Sequence, residues 1–275
     1  MTIENNPLKQ YFRRPAIYLK LPSGGNYPPG VVEMTENGEL PVYPMTAIDD
    51  ITSKTPDSLY NGAAMVDIIK SCIPSIKDPW RISSIDFDAI LIAVRSAASG
   101  NEMEVESVCP ACGEDSKYGI NLVGLLSGLK AGDYDKELEV NDLLVKFKPL
   151  TYKEMSAASI NQFELQKMFS QISNIENEEE RSIKSRDALK TITGVTMKLL
   201  SHTIEYIKTP TVFVDNNEYI LDFLQNCDKI AFDKIKTQNA FLKQQTEIKP
   251  LKMKCTHCQH EYDQPFTLNA ADFFD

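Results

Sequence analysis

Two widely separated cysteine pairs place the strongest constraint on what this chain can fold into. The pairs are Cys109-Pro-Ala-Cys112 and Cys255-Thr-His-Cys258. Short segments in which apolar and polar residues alternate flank both pairs: 104–108, 117–122, 251–254 and 261–266. Such alternation around a tight CxxC turn is typical of a zinc knuckle at the tip of a β-hairpin. Two knuckles that face each other supply four thiolates, which complete a tetrahedral shell around Zn²⁺.

The doubled spacing favours a shared metal site over the other uses of cysteine. A redox CxxC normally accompanies a βαβ pattern, and neither pair lies in such a pattern. Two disulfides would need an oxidising compartment, and we see no secretory segment at the start of the chain. We therefore predict one structural zinc ion with four ligands: Cys109, Cys112, Cys255 and Cys258. His257 and His260 are alternative ligands beside the second pair.

The distance between the pairs predicts an inserted domain. Between Cys112 and Cys255 lie 142 residues, far more than a free-standing zinc ribbon contains. Closing a loop of that length costs on the order of 5 kcal/mol of chain entropy. Structural zinc binding in small peptides is worth roughly 10–16 kcal/mol, so the metal can overcome that cost. We expect a discontinuous knuckle module, 104–123 and 250–275, that staples a mainly helical insertion, 124–249.

Composition limits the broad class of protein. The chain has 275 residues, of which 42% are hydrophobic and 25% charged, as in ordinary globular domains. Its net charge of −10 disfavours general affinity for nucleic-acid phosphates or anionic membranes. The longest uninterrupted apolar run, 89–94, is far too short to span a bilayer. We expect a protein that is made and assembled in a cytoplasm and has no membrane partner.

Residues 1–45 form an extended, Pro/Gly-rich N-terminal arm in this interpretation, since they carry seven prolines and four glycines. Asn37-Gly38 between short apolar runs predicts a hairpin. The arm either lies on a neighbouring subunit or folds back on its own core. In the first case the partner-binding residues are four: Tyr11, Phe12, Arg13 and Arg14. Aromatic side chains and arginine dominate binding hot spots.

The expected fold class is α+β, mostly helical with short β-hairpins. A helical core segment, 46–103, includes helices over about 56–72 and 84–98, and the second of these is apolar almost all round. Capping boxes open helices at Thr46 and Thr151. Within the insertion, 138–147 predicts a hairpin, about 183–207 one long helix, and the residues up to about 246 a short strand and two more helices.

The chain carries no sequence motif of a known catalytic site, and we expect no enzymatic activity. It lacks GxGxxG, P-loop, HExxH and GxSxG sequences. Asp86 and Asp88 are two apart on a predicted helix and point in different directions. A zinc-ribbon nucleic-acid-binding or transcription-related protein is the alternative function. The acidic charge balance and the lack of a basic, aromatic strand face near the knuckles count against it.

Several stretches resemble the base plate protein family of T-even-type, contractile-tailed bacteriophages. They are Pro7-Leu-Lys-Gln-Tyr-Phe-Arg-Arg-Pro-Ala-Ile-Tyr-Leu-Lys-Leu-Pro-Ser-Gly-Gly25, Glu39-Leu-Pro-Val-Tyr-Pro-Met-Thr46, Lys54-Thr-Pro-Asp57, Ser71-Cys-Ile-Pro74, Ile85-Asp-Phe-Asp-Ala-Ile-Leu91 and Cys109-Pro-Ala-Cys-Gly113. The resemblance covers roughly the first 120 residues in detail and the helical insertion in general pattern.

The resemblance implies a role in virion assembly. Members of that family are associated with the central hub of the tail base plate, as hub components or as factors needed to assemble it. The expected partners are then other hub or tail proteins, and the location is the infected bacterial cytoplasm, with or without retention in the tail base plate of the virion. The four cysteines would be a stability device, and catalytic residues are not expected.

Overall fold

The computed structural model describes residues 6–54 and 62–266, which divide into two compact units. The first unit comprises the described parts of Met1–Pro79, Asp86–Leu129 and Ile248–Asp275. The second comprises Trp80–Ile85 and Lys130–Glu247. The larger segment of the second unit lies inside the predicted insertion, 124–249. Residues 80–85 also belong to it, a grouping that the sequence did not indicate.

The described chain mixes helices with short antiparallel sheets, as the expected α+β class requires. The helices are α1 (Ala47–Ser53), α2 (Ala63–Cys72), α3 (Ser84–Ser99), α4 (Leu122–Gly128), α5 (Tyr152–Ser173), α6 (Glu178–His202), α7 (Asn217–Asn226) and α8 (Lys229–Thr246). The strands are β1 (Ile17–Leu19), β2 (Leu40–Val42), β3 (Glu102–Val108), β4 (Asp115–Asn121), β5 (Glu137–Val140), β6 (Leu143–Phe147), β7 (Ile204–Lys208), β8 (Phe213–Val214), β9 (Leu251–Lys254) and β10 (Glu261–Gln264).

In the first unit, the apolar helix α3 is buried as its sequence predicts. Its apolar side chains are almost inaccessible to solvent: Ile85, Ala89, Ile90, Leu91, Ile92 and Val94. Helix α1 begins at the predicted capping box, in which Thr46 and Asp49 satisfy each other's backbone N–H groups. Helix α2 begins at Ala63 among the described residues. The predicted start of that helix, near residue 56, lies outside them.

The N-terminal segment from Arg13 onward is tied into the first unit. Strand β1 pairs antiparallel with β2, with Leu19 opposite Leu40, and both side chains are buried. The Arg13 guanidinium donates to the carbonyl oxygens of Pro44, at 2.5 Å, and Ser71, at 2.9 Å. It also lies 3.3 Å from a carboxylate oxygen of Asp49. Arg13 and strands β1 and β2 therefore fold back on the first unit, which is the second of the two interpretations given for this region.

The hairpin predicted at Asn37-Gly38 is wrong. Gly38 has a left-handed φ of 72°, as a turn residue there requires, but among the described residues no strand lies directly before the turn. Val32 instead forms an isolated bridge with Ile76. The strand after the turn, β2, pairs with β1 more than twenty positions earlier in the chain. A turn sequence fixes a local bend, whereas strand pairing is decided by which apolar faces can be buried together.

The second unit contains a four-stranded antiparallel sheet in the order β5-β6-β7-β8. Its first hairpin is the one predicted over 138–147, and Asn141 at the turn has a φ of 53°. Helix α5 begins at the predicted capping box of Thr151 and Glu154. The apolar core joins the sheet to helices α6, α7 and α8, and its buried members include Val145, Phe147, Ile204, Ile220, Leu224, Ile235 and Leu242.

The long helix predicted to end near residue 207 is wrong at its C-terminus. Helix α6 ends at His202, and the Thr203 N–H caps it by donating to the carbonyl oxygens of Leu200 and Ser201. Residues Ile204–Lys208 form strand β7, which pairs with β6 and buries Ile204 and Ile207. The two isoleucines are three apart, so helical periodicity fits them equally well, and only the neighbouring strand distinguishes the two structures.

Candidate metal centre

The first cysteine pair lies in the turn between strands β3 and β4, as predicted. The Cys109 N–H donates to the Glu114 carbonyl, at 3.0 Å, and the Cys109 carbonyl accepts from the Gly113 N–H, at 2.9 Å. Gly113 has a left-handed φ of 75°. Because glycine lacks a Cβ, it takes this conformation without steric cost. The turn therefore reverses the chain between the two antiparallel strands.

The second pair repeats this hydrogen-bond pattern between strands β9 and β10. The Cys255 N–H donates to the His260 carbonyl, at 2.9 Å, and the Cys255 carbonyl accepts from the Gln259 N–H, at 3.0 Å. Gln259 occupies the position of the glycine and has a φ of 61°. A left-handed φ is uncommon for a residue other than glycine. The same turn geometry is therefore imposed on an unfavourable residue at the second knuckle.

The two turns bring all four predicted sulfur ligands together. The Sγ atoms of Cys109, Cys112, Cys255 and Cys258 all lie within 4.8 Å of one another. Across the two turns, Cys109 is 3.7 Å from Cys258 and Cys112 is 3.6 Å from Cys255. Zinc–sulfur bonds of 2.3 Å in a tetrahedron place neighbouring sulfur atoms about 3.8 Å apart. The observed separations fit that geometry.

The environment of the four thiols is uneven. Cys109 and Cys255 are buried, while Cys112 and Cys258 are exposed. Backbone N–H groups of Cys258 and His257 donate to the Cys255 sulfur and lower the pKa of that thiol to about 6. The backbone hydrogen bond from Glu114 lowers the pKa of Cys112, but desolvation and three adjacent thiols outweigh it and raise this pKa to about 12. Four thiolates at this spacing repel one another, so a dication is needed to hold them all ionised.

Neither alternative histidine belongs to the cluster that the described residues form. Within the described part of the chain, the four cysteines alone are close enough to share one ion. The His260 ring is instead stacked beside the Tyr262 ring, with 6.3 Å between centroids and 8° between planes. The donor set is therefore four sulfur atoms, the set that zinc prefers in closed structural sites.

Side-chain hydrogen bonds also join the two hairpins, and the sequence interpretation did not single out these residues. Ser107 donates to the Gln264 side-chain oxygen, at 2.8 Å, and accepts from the Tyr262 hydroxyl, at 3.0 Å. Ser116 lies 2.9 Å from the Thr256 hydroxyl. Ser107 and Ser116 are both buried. These contacts hold the knuckles in register beside the sulfur cluster.

The two-residue periodicity of a strand identifies some of the residues that lie beside the cysteines. Side chains two apart on a strand share one face, so Ser107 lies on the face of Cys109. Met253 lies on the face of Cys255 in the same way, and its side chain is buried. Counting back from the cysteines would have identified both positions. The register between the two hairpins, which decides that Ser107 meets Gln264, cannot be counted from either strand alone.

Comparison with known proteins places the chain among bacteriophage proteins. The sequence model of the family described as T4 bacteriophage base plate protein matches residues 18–275. The chain belongs to this family. No solved structure and no curated protein matches the chain significantly. The matched range includes all four clustered cysteines of this base plate family member and confirms the resemblance inferred from its sequence.

The N-terminal residues predicted to bind a partner precede the range matched by the base plate family. Tyr11, at the end of a short 3₁₀ helix over Pro7–Tyr11, is 78% exposed, and Phe12 is 58% exposed. Arg14 is also exposed. Arg13 differs from these three because its guanidinium is occupied by contacts within the first unit. The structure therefore presents three of the four predicted side chains to solvent.

Asp86, one of the two neighbouring aspartates on helix α3, makes structural contacts in this base plate protein. Asp86 is fully buried and accepts hydrogen bonds from the Ser23 N–H, at 2.9 Å, the Ser23 hydroxyl and the Tyr27 hydroxyl, at 2.6 Å. Hydrogen bonds of this kind compensate for the cost of burying a charge. Asp86 thus fixes the Ser23–Tyr27 loop to helix α3. Among the described residues, no helix is both long and apolar enough to cross a membrane.

Proposed function

We propose that this chain is a component of the central hub of the phage tail base plate, or a factor that assembles the hub. It acts through protein–protein contacts, with a structural zinc ion and without catalysis. The observation that carries the proposal is the family match over residues 18–275. Its partners in this proposal are other hub or tail proteins, met in the cytoplasm of the infected bacterium during assembly.

The geometry of the four cysteines supports the zinc part of the proposal. Their mutual spacing fits a tetrahedron, and all four positions of that tetrahedron are filled by protein sulfur atoms. A catalytic zinc site keeps one position for water or substrate, whereas a structural site is closed. Zinc would therefore serve to hold the β3–β4 hairpin against the β9–β10 hairpin. One hairpin precedes Lys130–Glu247, the larger segment of the second unit, and the other hairpin follows it.

The exposed aromatic residues near the N-terminus support a docking role for that segment. Leu8, Tyr11, Phe12 and Tyr18 each expose more than half of their surface. Large apolar side chains exposed close together in sequence are a common feature of protein-binding surfaces. The charge of the segment suits an acidic partner, since 7–15 contains three basic and no acidic residues. Tyr11 and Phe12 are the anchors that we propose, with Arg14 as the charged contact.

Quantitative mass spectrometry of purified, mature phage particles tests the proposed function. A hub subunit is present at a copy number that matches the rotational symmetry of the tail. An assembly factor is absent from particles, abundant in infected cells, and required for base plates to form when its gene is inactivated. A chain that is absent from particles, and whose inactivation leaves base plate assembly normal, would refute the proposal.

A further inference from the structure

A half-open groove of about 710 Å³ lies within the second unit. Its walls come from three helices: α5 contributes Met155 and Ala158, and α6 contributes Ile192 and Met197. On α8, the lining residues recur at the spacing of a single helical face, as shown by Phe232, Lys236, Asn239, Ala240 and Lys243. Pockets of 300–1,000 Å³ are large enough to bury most of a ligand or a side-chain cluster.

The surface of the groove is mainly apolar, and its wall contains small side chains. Met155, Met197 and Phe232 provide flexible or aromatic apolar surface. Ala158, on α5, and Ala240, on α8, are small residues of the lining. Small side chains allow another backbone to approach closely, and methionine adapts its shape to different partners. A groove with these features suits the apolar face of a helix.

The charges of the groove all have one sign. Among the described residues, its lining contains three lysines, Lys148, Lys236 and Lys243, and no carboxylate. This contrasts with the whole chain, in which acidic residues outnumber basic ones by 39 to 29. Within the described structure, Lys148 and Lys236 have no carboxylate within 4.0 Å, and Lys243 is paired with Glu247 at 3.5 Å. That pair is exposed, and exposed pairs contribute little to stability, so a stronger acidic partner can replace it.

We propose that this groove binds an acidic amphipathic helix of another base plate protein. Lys236 and Lys243 are seven residues apart on α8, which corresponds to about 10.5 Å along the helix axis. The complementary helix then carries carboxylates about two turns apart along one side of an apolar face. The proposal rests on the proposed function for the identity of the partner, but the chemistry of the groove defines the helix that it accepts.

Fluorescence anisotropy with a designed peptide tests the groove in the purified full-length chain. The probe is a labelled 18-residue helix with leucine and alanine on one face and glutamates spaced seven residues apart beside it. The matched peptide has lysine in place of each glutamate. We expect the acidic peptide to bind at least tenfold more tightly than the basic one, and its affinity to fall as salt concentration rises.

Variants of the groove provide the controls. The double substitution Lys236→Glu and Lys243→Glu should weaken binding of the acidic peptide at least tenfold. Ala240→Trp should do the same by filling the groove without changing its charge. Lys234→Glu lies on the same helix outside the groove lining, and should change the affinity by less than twofold. Circular dichroism confirms that each variant remains helical.

Three results would overturn the proposal: equal binding of both peptides, unchanged binding by the groove variants, or a self-associated chain that Ala240→Trp makes monomeric in sedimentation experiments. The last result would assign the groove to a second copy of this chain. The peptide assay needs no phage particle. Its failure therefore leaves the proposed hub role standing, and absence of the chain from base plate assembly leaves the peptide result standing.

Discussion

Cys255 is the most informative single residue of the proposed zinc site, because it is fully buried and receives two backbone N–H groups at its sulfur. Replacing it with serine removes one ligand of four and leaves the other thiols without a closed shell. We expect elemental analysis to find about one zinc per chain in the wild type and far less in Cys255→Ser, with a lower melting temperature.

Cys227→Ser is the control for that substitution. Cys227 is half-buried, lies in the second unit and is not part of the sulfur cluster. Its replacement should leave the zinc content unchanged. If purified wild-type protein contains no zinc and is nevertheless fully stable, the metal site is refuted.

The paired turn positions Gly113 and Gln259 give a second prediction at this scale. Both have left-handed φ values, of 75° and 61°. A Cβ added at Gly113 meets no atom within 4 Å, so Gly113→Ala is penalised by backbone conformation alone. That penalty is about 1–2 kcal/mol. We expect Gly113→Ala to lower the melting temperature of the zinc-loaded protein and Gln259→Gly to raise it slightly. Opposite signs would show that side-chain contacts at Gln259 outweigh its backbone strain.

A third residue-scale prediction concerns the exposed aromatic anchors. The side chains of Tyr11 and Phe12 are exposed. The double substitution Tyr11→Ala and Phe12→Ala should therefore leave the melting temperature within about 1 °C of the wild-type value. The same pair should reduce incorporation of the chain into base plates, measured by mass spectrometry of assembled particles. Normal incorporation would show that this surface does not contact a partner.

At the residue scale, spacing alone predicted which cysteines come together. Each CxxC is a local turn that holds its two sulfur atoms together, and the need of zinc for four ligands predicted that the two pairs would meet. The contact of Ser107 with Gln264, by contrast, joins residues 157 apart in sequence. Nothing in the sequence near either residue specifies the other, so this part of the site needed the structure.

At the scale of elements, strand β1 shows that the N-terminal region contributes to the first unit. Leu19 is 1% exposed and its neighbour Tyr18, on the opposite face, is 62% exposed. Leu19→Ala should destabilise the protein by about 2–5 kcal/mol because it leaves a cavity. Tyr18→Ala, the matched control, should cost less than 1 kcal/mol. Thermal unfolding of the two variants measures the difference, and equal effects would show that β1 does not anchor the segment.

Elements were predictable where their signals are local. The capping boxes at Thr46 and Thr151 formed as expected because a cap is decided within four residues. The end of α6 was not predictable, since Ile204 and Ile207 suit either a helix or a strand until β6 is available for pairing. The hairpin prediction at Asn37-Gly38 was wrong for the same reason, because the bend is decided locally whereas the strand partner lies far away in the sequence.

At the scale of the molecule, the spacing of the cysteine pairs predicted a long folded segment between them. The larger segment of the compact second unit, Lys130–Glu247, lies between the two cysteine pairs. That residues 80–85 also belong to this unit could not be foreseen from the sequence. Those residues join it through contacts such as the Tyr152 N–H to the Ile82 carbonyl, at 2.8 Å, and the stacked rings of Trp80 and Tyr152, whose centroids are 5.3 Å apart. Both contacts link segments that are about seventy positions apart.

The division into units predicts where removal of zinc will be felt. All four thiols belong to the first unit, and the second has its own buried core of sheet and helices. Among the described residues, the β3–β4 and β9–β10 hairpins are joined by a few side-chain hydrogen bonds, such as Ser107 to Gln264, which are all that remain between them without the metal. We expect chelation to accelerate amide hydrogen exchange at least tenfold in the two hairpins and to leave β5, β6 and β7 protected. Restored protection after zinc is added back is the control. Because exchange reports local opening, loss of protection in the β5-β6-β7 sheet would show that the metal supports both units, and unchanged hairpins would show that the protein contacts alone hold the knuckles together.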